Sequence, residues 1–308
     1  MTLHVYRSDD ADAPSLSNLQ DSLIQILDAC LVNGYGAKAG AGWAKVFSGT
    51  NKAVYRAPAG KRFYLRVWEN DTNSYYAYVR GYLSMSDVDT GVEPFPTELR
   101  RPSGIISRKT TNTSPGKPWG IFATDKSFYY INFAGTNGAA FSATSVVMCT
   151  HFFGDLVPSD LLDDYCSGLC GGLTSESTSS AANINLDFRG GDTLNYLPRN
   201  FAGDIGAVEC HLFSQQPGSN AAPGAWGPTY PDNEFGGLAL ARIPLAEPNM
   251  RVRGFLPGVY NPLHNFSGNH LDTIVGTGAL AGKDLQVFYQ YSNSAAGALV
   301  MDMSGEWY

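Results

Sequence analysis

The stretch FYLRVWENDTNSYYAYVRGYLSMSDVDTG, residues 63–91, limits the possible folds more than any other part of the chain. Phe63–Trp68 and Tyr75–Tyr82 are dense in aromatic and β-branched residues, and Glu69–Ser74 between them is a run of turn-formers. Two β-prone runs parted by such a cluster predict an antiparallel hairpin with a loop longer than the two-residue minimum. The pattern returns at LALARIPLAEPNMRVRGFLPGVY, residues 238–260, with its turn at Glu247-Pro248-Asn249. Both second arms carry an Arg-Gly-aromatic-Leu tetrad, Arg80-Gly81-Tyr82-Leu83 and Arg253-Gly254-Phe255-Leu256. A glycine held there predicts a bulge or a close backbone approach, with the arginine capping carbonyls or pairing with an acid. The echo implies two related β modules facing each other.

The remaining pattern agrees with a mainly β chain. WAKVFSGTNKAVYRA at 43 is echoed by WGIFATDKSFYYINF at 119, each a Trp-led strand, a turn and a Lys-led strand. SVVMCTHFFGDL, 145–156, has the continuous apolar character of a central buried strand, and GAVECHLFSQ, 206–215, resembles it. Residues 92–118, rich in Pro, Thr and Ser, are expected to be a surface excursion. The Gly/Ser-rich 166–193 and the Pro/Gly-rich 214–237 are expected to be loops, and strands are expected at Leu285–Tyr291 and Ala298–Met303. One amphipathic helix is expected, with Leu16, Leu19, Leu23, Ile26, Leu27, Cys30 and Leu31 on one face. Ser15 or Ser17 would cap its start and Asn33-Gly34 would stop it. The fold class read from this is two β-rich modules, of antiparallel hairpins in a sandwich or barrel-like arrangement, with one packed N-terminal helix. The division falls at 1–115 and 116–308.

Charged residues make up only 16% of the chain, whereas Gly (34), Tyr (17) and Phe (16) are abundant. Low charge with many small polar residues suits a subunit that packs against others. The net charge of −7 provides no basic field to draw in phosphates, which argues against nucleic acid or an anionic membrane as partner. Five cysteines without disulfide-framework spacing are read as reduced, made in a cytoplasm. The first residues lack a signal pattern and no apolar run reaches membrane-span length, so a soluble chain not exported by a cleaved signal is expected.

Cys149, His151, Cys166, Cys170, Cys210 and His211 are the residues with zinc-ligand chemistry, but two of these Cys/His pairs sit in apolar strands where thiols pack as hydrophobes. Asp9, Asp10 and Asp12, and Asp87 with Asp89, are calcium-like clusters without a full ligand set. Asp155, Asp160, Asp163 and Asp164 could supply the facing carboxylates of a glycosidase, although solvated loop acids are the commoner origin of such a group. No nucleophile elbow or phosphate loop is present, and the expectation is no catalytic residue, no metal and no cofactor. The candidate contact residues are the hairpin aromatics Tyr75, Tyr76, Tyr78 and Tyr82 with Arg80, then Trp226 and Tyr230 in the Pro/Gly loop, and Arg253 with Phe255. Cross-strand stacking inside the sheet is the alternative role for the hairpin tyrosines.

Several blocks together resemble structural proteins of tailed bacteriophages. They are MTLHVYRSDDADAP, ILDACLVNGYG, GWAKVFSGTNKAVYR, VRGYLSMSDVDTG followed by Pro94-Phe95-Pro96, HFFGDL, and RVRGFLPGVYNPLH. The resemblance covers most of the chain and is strongest in 1–95 and 250–265, while the loops at 171–183 and 214–237 and the segment after Asp155 look individual. It carries no catalytic motif. It implies a β-rich virion component, assembled in the host cytoplasm, whose partners are copies of itself and other virion proteins. The neck or tail, as collar, connector or baseplate, is favoured. The alternative is a capsid decoration or receptor-binding protein that touches host glycans through Trp226 and Tyr230.

Overall fold

A computed structural model describes residues 2–70, 73–110, 116–133, 149–172, 194–212, 229–230, 240–262, 265–266, 270–276, 278–289 and 298–308. Three antiparallel sheets are stacked as layers. The middle layer has seven strands in the order His4–Arg7, Trp119–Ala123, Ser127–Asn132, Cys149–Asp155, Ser167–Gly171, Asn195–Arg199 and Ile205–Glu209. The first outer layer runs Ala44–Gly49, Lys52–Arg56, Tyr64–Asn70, Asn73–Met85 and Gly91–Phe95, with Ile105–Arg108 beside the first half of Asn73–Met85. The second outer layer runs His211–Leu212, Leu240–Ala246, Val252–Pro262, Ala298–Asp302, Asp284–Tyr289 and Thr273–Val275, with Val157–Pro158 also beside Val252–Pro262.

The five inner strands of the middle sheet are buried on both faces, because successive side chains point to opposite sides and each side is covered by an outer sheet. Ile121, Phe128, Tyr130, Phe153, Leu169 and Tyr196 enter one core with Leu65, Val67 and Val79 of the first outer sheet. Their neighbours Phe122, Tyr129, Ile131, Phe152, Cys170 and Leu197 enter the other, with Ile243, Leu245, Leu256, Phe288 and Met301 of the second outer sheet. Cys149–Asp155 is thus the central buried strand that its sequence predicts. The segment resembling it, at 205–209, lies instead at the sheet's edge and passes the chain to the second outer sheet at His211.

Both predicted hairpins form, and so do the two Trp-led ones at 44–56 and 119–132. The first hairpin is tighter than expected: pairing continues from Tyr64↔Tyr82 to Asn70↔Asn73. Each outer sheet contains one long strand with a continuous neighbour on one side and two short strands in succession on the other. The Arg-Gly pairs sit in these long strands. A Cβ on Gly81 would lie 2.2 Å from the Phe95 ring, and one on Gly254 would lie 2.7 Å from the Val157 carbonyl oxygen. The glycines therefore permit the close approach inferred from the sequence. The two copies do not face each other, since the middle sheet lies between them. Nor does the chain separate cleanly at 115/116, since His4–Arg7 pairs with Trp119–Ala123.

The helix is shorter than predicted. It runs as Ser22–Leu27, widens into a π-helical turn over Asp28–Asn33, and ends before Gly34 as expected. It starts late because Leu16 bridges to Lys117 and Asp21 adopts φ 62°, which leaves Leu19 exposed. Its first amides are capped from far away: the Glu69 carboxylate accepts the N–H of Asp21 at 2.9 Å and of Leu23 at 3.3 Å. Lys109 in turn binds Glu69 and donates to the Leu19 carbonyl at 2.8 Å. Burial raises the Glu69 pKa and lowers that of Lys109, while their contact opposes both shifts. Glu69, expected in a turn, and Lys109, expected in a surface excursion, are both interior. The excursion itself contributes two strands, Gly91–Phe95 and Ile105–Arg108.

Removing one member of this pair leaves a buried charge without its partner. Lys109→Met should lower unfolding stability by about 3–5 kcal/mol in urea titration, and Glu69→Leu with Lys109→Met should recover part of that loss. Equal losses in the single and double variants would refute the coupling.

Candidate functional site

A cleft of about 320 Å³ opens where the three sheets meet. Gly60 and Lys61 come from the loop before Tyr64–Asn70, Lys126 from the tight turn of the second Trp-led hairpin, and Asp155 from the end of the central strand. Asp163 and Cys166 follow on the connection to Ser167–Gly171, and Tyr308 closes one side.

Asp155 joins the layers. Its carboxylate accepts the backbone N–H of Lys61 at 2.9 and 3.2 Å, and its own carbonyl accepts the Tyr308 hydroxyl at 2.7 Å. Gly60 is needed for that approach, because a Cβ there would lie 2.0 Å from Asp155 Oδ2. Burial pushes the Asp155 pKa up to about 6, although the Lys61 amide, Ser167 and the charges of Lys61 and Lys126 pull the other way. The Lys126 ammonium sits 4.9 Å from the centre of the Tyr308 ring, and among the described residues it makes no ion pair. Lys61 reaches Asp164 at 3.0 Å.

Behind the cleft, Arg253 is fully buried and organises the loop in front of it. Its guanidinium holds Asp163 bidentately at 2.7 and 2.9 Å, Glu247 at 2.6 Å and the Arg199 carbonyl at 2.9 Å. This is the planar fork geometry that arginine provides and lysine does not. The loop is pinned further by Ser159 Oγ on the Val252 carbonyl at 2.6 Å and by the Leu162 N–H on Asp160 Oδ1 at 3.0 Å. At its tip Leu161 is 89% and Leu162 88% exposed. Leu161 also forms part of the lip of the cleft.

Arg80 performs the corresponding task in the first outer sheet. It donates to the carbonyls of Arg101 and Pro102, reaches Glu98 at 3.2 Å and lies 5.7 Å from the Trp68 ring centre. Both arginines thus cap carbonyls and pair with acids, as the tetrads predict, but neither is available as a contact residue. Arg80, Arg253, Tyr76, Tyr78 and Tyr82 are interior and are not surface contacts of this chain. On the hairpin, Trp68 stacks on Tyr78 at 5.7 Å, the cross-strand alternative, and Tyr82 packs with Val54 and Met85. Tyr75 and Phe255 are half-buried. The backbone of Tyr230 pairs with Phe266, and Trp226 lies outside the described residues.

The zinc-type residues are dispersed. His151 faces the helix-side core, while Cys166, Cys170 and Cys210 lie in the opposite core. Among the described residues no three such side chains gather, and the side chains of Cys149 and His211 lie outside that set. Burial pushes the Cys166 thiol up to about 12, well away from thiolate chemistry. Of the calcium-like acids, Asp10 is engaged by Lys38 and Tyr35, and Asp89 by Lys52 and Arg66. Asp163 directs both oxygens to Arg253, so it does not form a matched acid–base pair with Asp155. The cleft can bind and orient; it has a protonatable carboxyl and two ammonium groups at its rim. Lys61, Lys126, Leu161, Leu162 and Tyr308 carry no local sequence signal and become visible only when the three layers are assembled.

No protein-family model matches this chain, and comparison with curated proteins finds no significant match.

Two titrations of opposite sign follow from the burial. The folded chain holds the Asp155 proton more tightly than the unfolded chain, where the pKa is near 3.9. This contribution to stability is therefore greatest in acid and is lost, by about 3 kcal/mol, as pH rises through about 6. Burial depresses His151 to about 4, so its contribution is present above pH 6.5 and is lost, again by about 3 kcal/mol, as pH falls towards 4. In urea titrations, the stability of Asp155→Asn minus that of wild type should rise by about 2 kcal/mol between pH 4 and pH 7.5. A difference independent of pH would refute the assignment. Separately, Arg253→Met should lower stability by about 3–5 kcal/mol, because it leaves Asp163 and Glu247 buried against each other.

Proposed function

We propose that this chain is a structural component of a tailed-phage particle, working at the neck or tail by association with its own copies and with other virion proteins. The observation that carries this reading is the Asp160–Asp164 loop, where a buried arginine fixes a loop whose tip presents two leucines to solvent. Scattered single hydrophobics on a surface need no explanation, but an adjacent pair on an anchored loop is the form of a contact site. The sequence blocks that resemble phage structural proteins support the particle context. So does the low charge of a chain that fills three sheets with apolar side chains. No helix among the described residues is long and apolar enough to cross a membrane.

The test is to locate the chain in purified particles. Mass spectrometry should find it in stoichiometric copies, and electron microscopy with a tagged chain should place it in a symmetric ring at the neck or tail. Absence from purified particles overturns the structural reading. Trimers projecting from the capsid with free loop tips would overturn the neck-or-tail placement in favour of a decoration or receptor-binding role.

A further inference from the structure

We infer that the Leu161–Leu162 tip of one copy seats in the Asp155–Lys126 cleft of a second copy, reciprocally about a two-fold axis. The inference rests on the self-association reading and names its surface. Three observations carry it. The tip is apolar and nearly fully exposed, and its loop is anchored by Arg253 through Asp163 and by Ser159 through the Val252 carbonyl, which lowers the cost of ordering it on contact. The cleft lies next to it: Leu161 belongs to its lip, and about 320 Å³ between Leu156, Pro158 and Tyr308 is ample for a leucine side chain. A knob beside a hole on one surface is the arrangement that a two-fold axis turns into two identical insertions.

The charges agree with that geometry. The tip is flanked by Asp160 and by Asp164, whose side chain is 85% exposed, whereas the rim of the cleft carries Lys61 and Lys126; the two acids that also line the cleft are engaged, Asp155 by the Lys61 amide and Asp163 by Arg253. Lys61 already meets Asp164 within the chain, at a largely exposed site where such a pair is weak and exchangeable. Lys126, with no ion pair of its own among the described residues, is the cation that an incoming Asp160 or Asp164 would meet. An acidic apolar tip thus fits a basic-rimmed cleft on an identical molecule.

The experiment uses the full chain in sedimentation equilibrium over a range of concentrations, with thermal unfolding as a control for folding. Wild type should form dimers or larger species. Leu161→Ser with Leu162→Ser, both at exposed positions, should keep the melting temperature and weaken association by about 100-fold. Lys126→Glu should weaken it as well, and Lys126→Glu combined with Asp164→Lys, at a largely exposed side chain, should restore it, which a general loss of surface character would not do. Wild type that associates while the leucine variant associates equally well overturns this surface and leaves self-association standing. Wild type that stays monomeric up to about 100 µM, a weak limit for a functional contact, overturns the inference. The particle reading is judged apart from it, by the presence of the chain in purified particles.

Discussion

The five inner strands of the middle sheet have no face left for water, and the rest of the architecture follows from that. A strand buried on one side can alternate apolar and polar residues, but Phe128–Ile131 and Phe152–Phe153 put an aromatic or aliphatic group on both sides in turn. Such strands need two covers, and the chain builds one before them and one after. The outer sheets are therefore not independent modules joined by a linker; each is the lid of a core whose other half belongs to the middle sheet. The N-terminal strand joins this middle layer too, so the chain's beginning is committed to residues more than a hundred positions away.

Stacking three layers creates interior sites for groups that would otherwise be solvated, and the chain fills them with ion pairs in place of apolar side chains. Glu69 with Lys109 and Arg253 with Asp163 and Glu247 are each buried, and each fixes a segment that carries no regular hydrogen-bond ladder of its own. The first holds the start of a short helix and the second holds the loop at the cleft. A buried pair is a poor source of net stability but a strict one of geometry, since a misplaced partner leaves a charge unsatisfied. Specific placement, more than added stability, is what these two clusters contribute.

What the sequence made legible was local. Hairpins announced by β-branched and aromatic runs around Glu247-Pro248-Asn249 or Thr50-Asn51 form where the pattern puts them, and the Arg-Gly tetrads do mark close approaches. What it concealed was set by partners distant in the chain. The helix begins at Ser22 because its amides are capped by Glu69, and no local signal at Ser15 or Ser17 reveals that competitor. Tyr76, Tyr78 and Tyr82 look like contact residues from composition alone, yet the sheet buries them. The cleft is the extreme case: Lys61, Lys126, Asp155 and Tyr308 come from separate elements, and only Asp155 and its neighbouring acids had chemistry that invited attention.

The order of the layers along the chain also bears on how the protein is made. The first outer sheet is complete by Arg108, so the side of the middle sheet that it covers can close as soon as the strands from Trp119 to Glu209 emerge. The opposite side, with Phe122, Tyr129, Phe152 and Leu197, is still waiting for Phe288, Leu299 and Met301. At ~5–20 residues per second, translation from Glu209 to Asp302 leaves that aromatic face open for roughly 5–20 s on the ribosome. For that interval the nascent chain presents a half-finished sandwich to every other chain in the cell. The yield of folded protein is then governed by the arrival of the last two strands and by whatever shields the face meanwhile, a kinetic limit that the finished structure's own stability does not relieve.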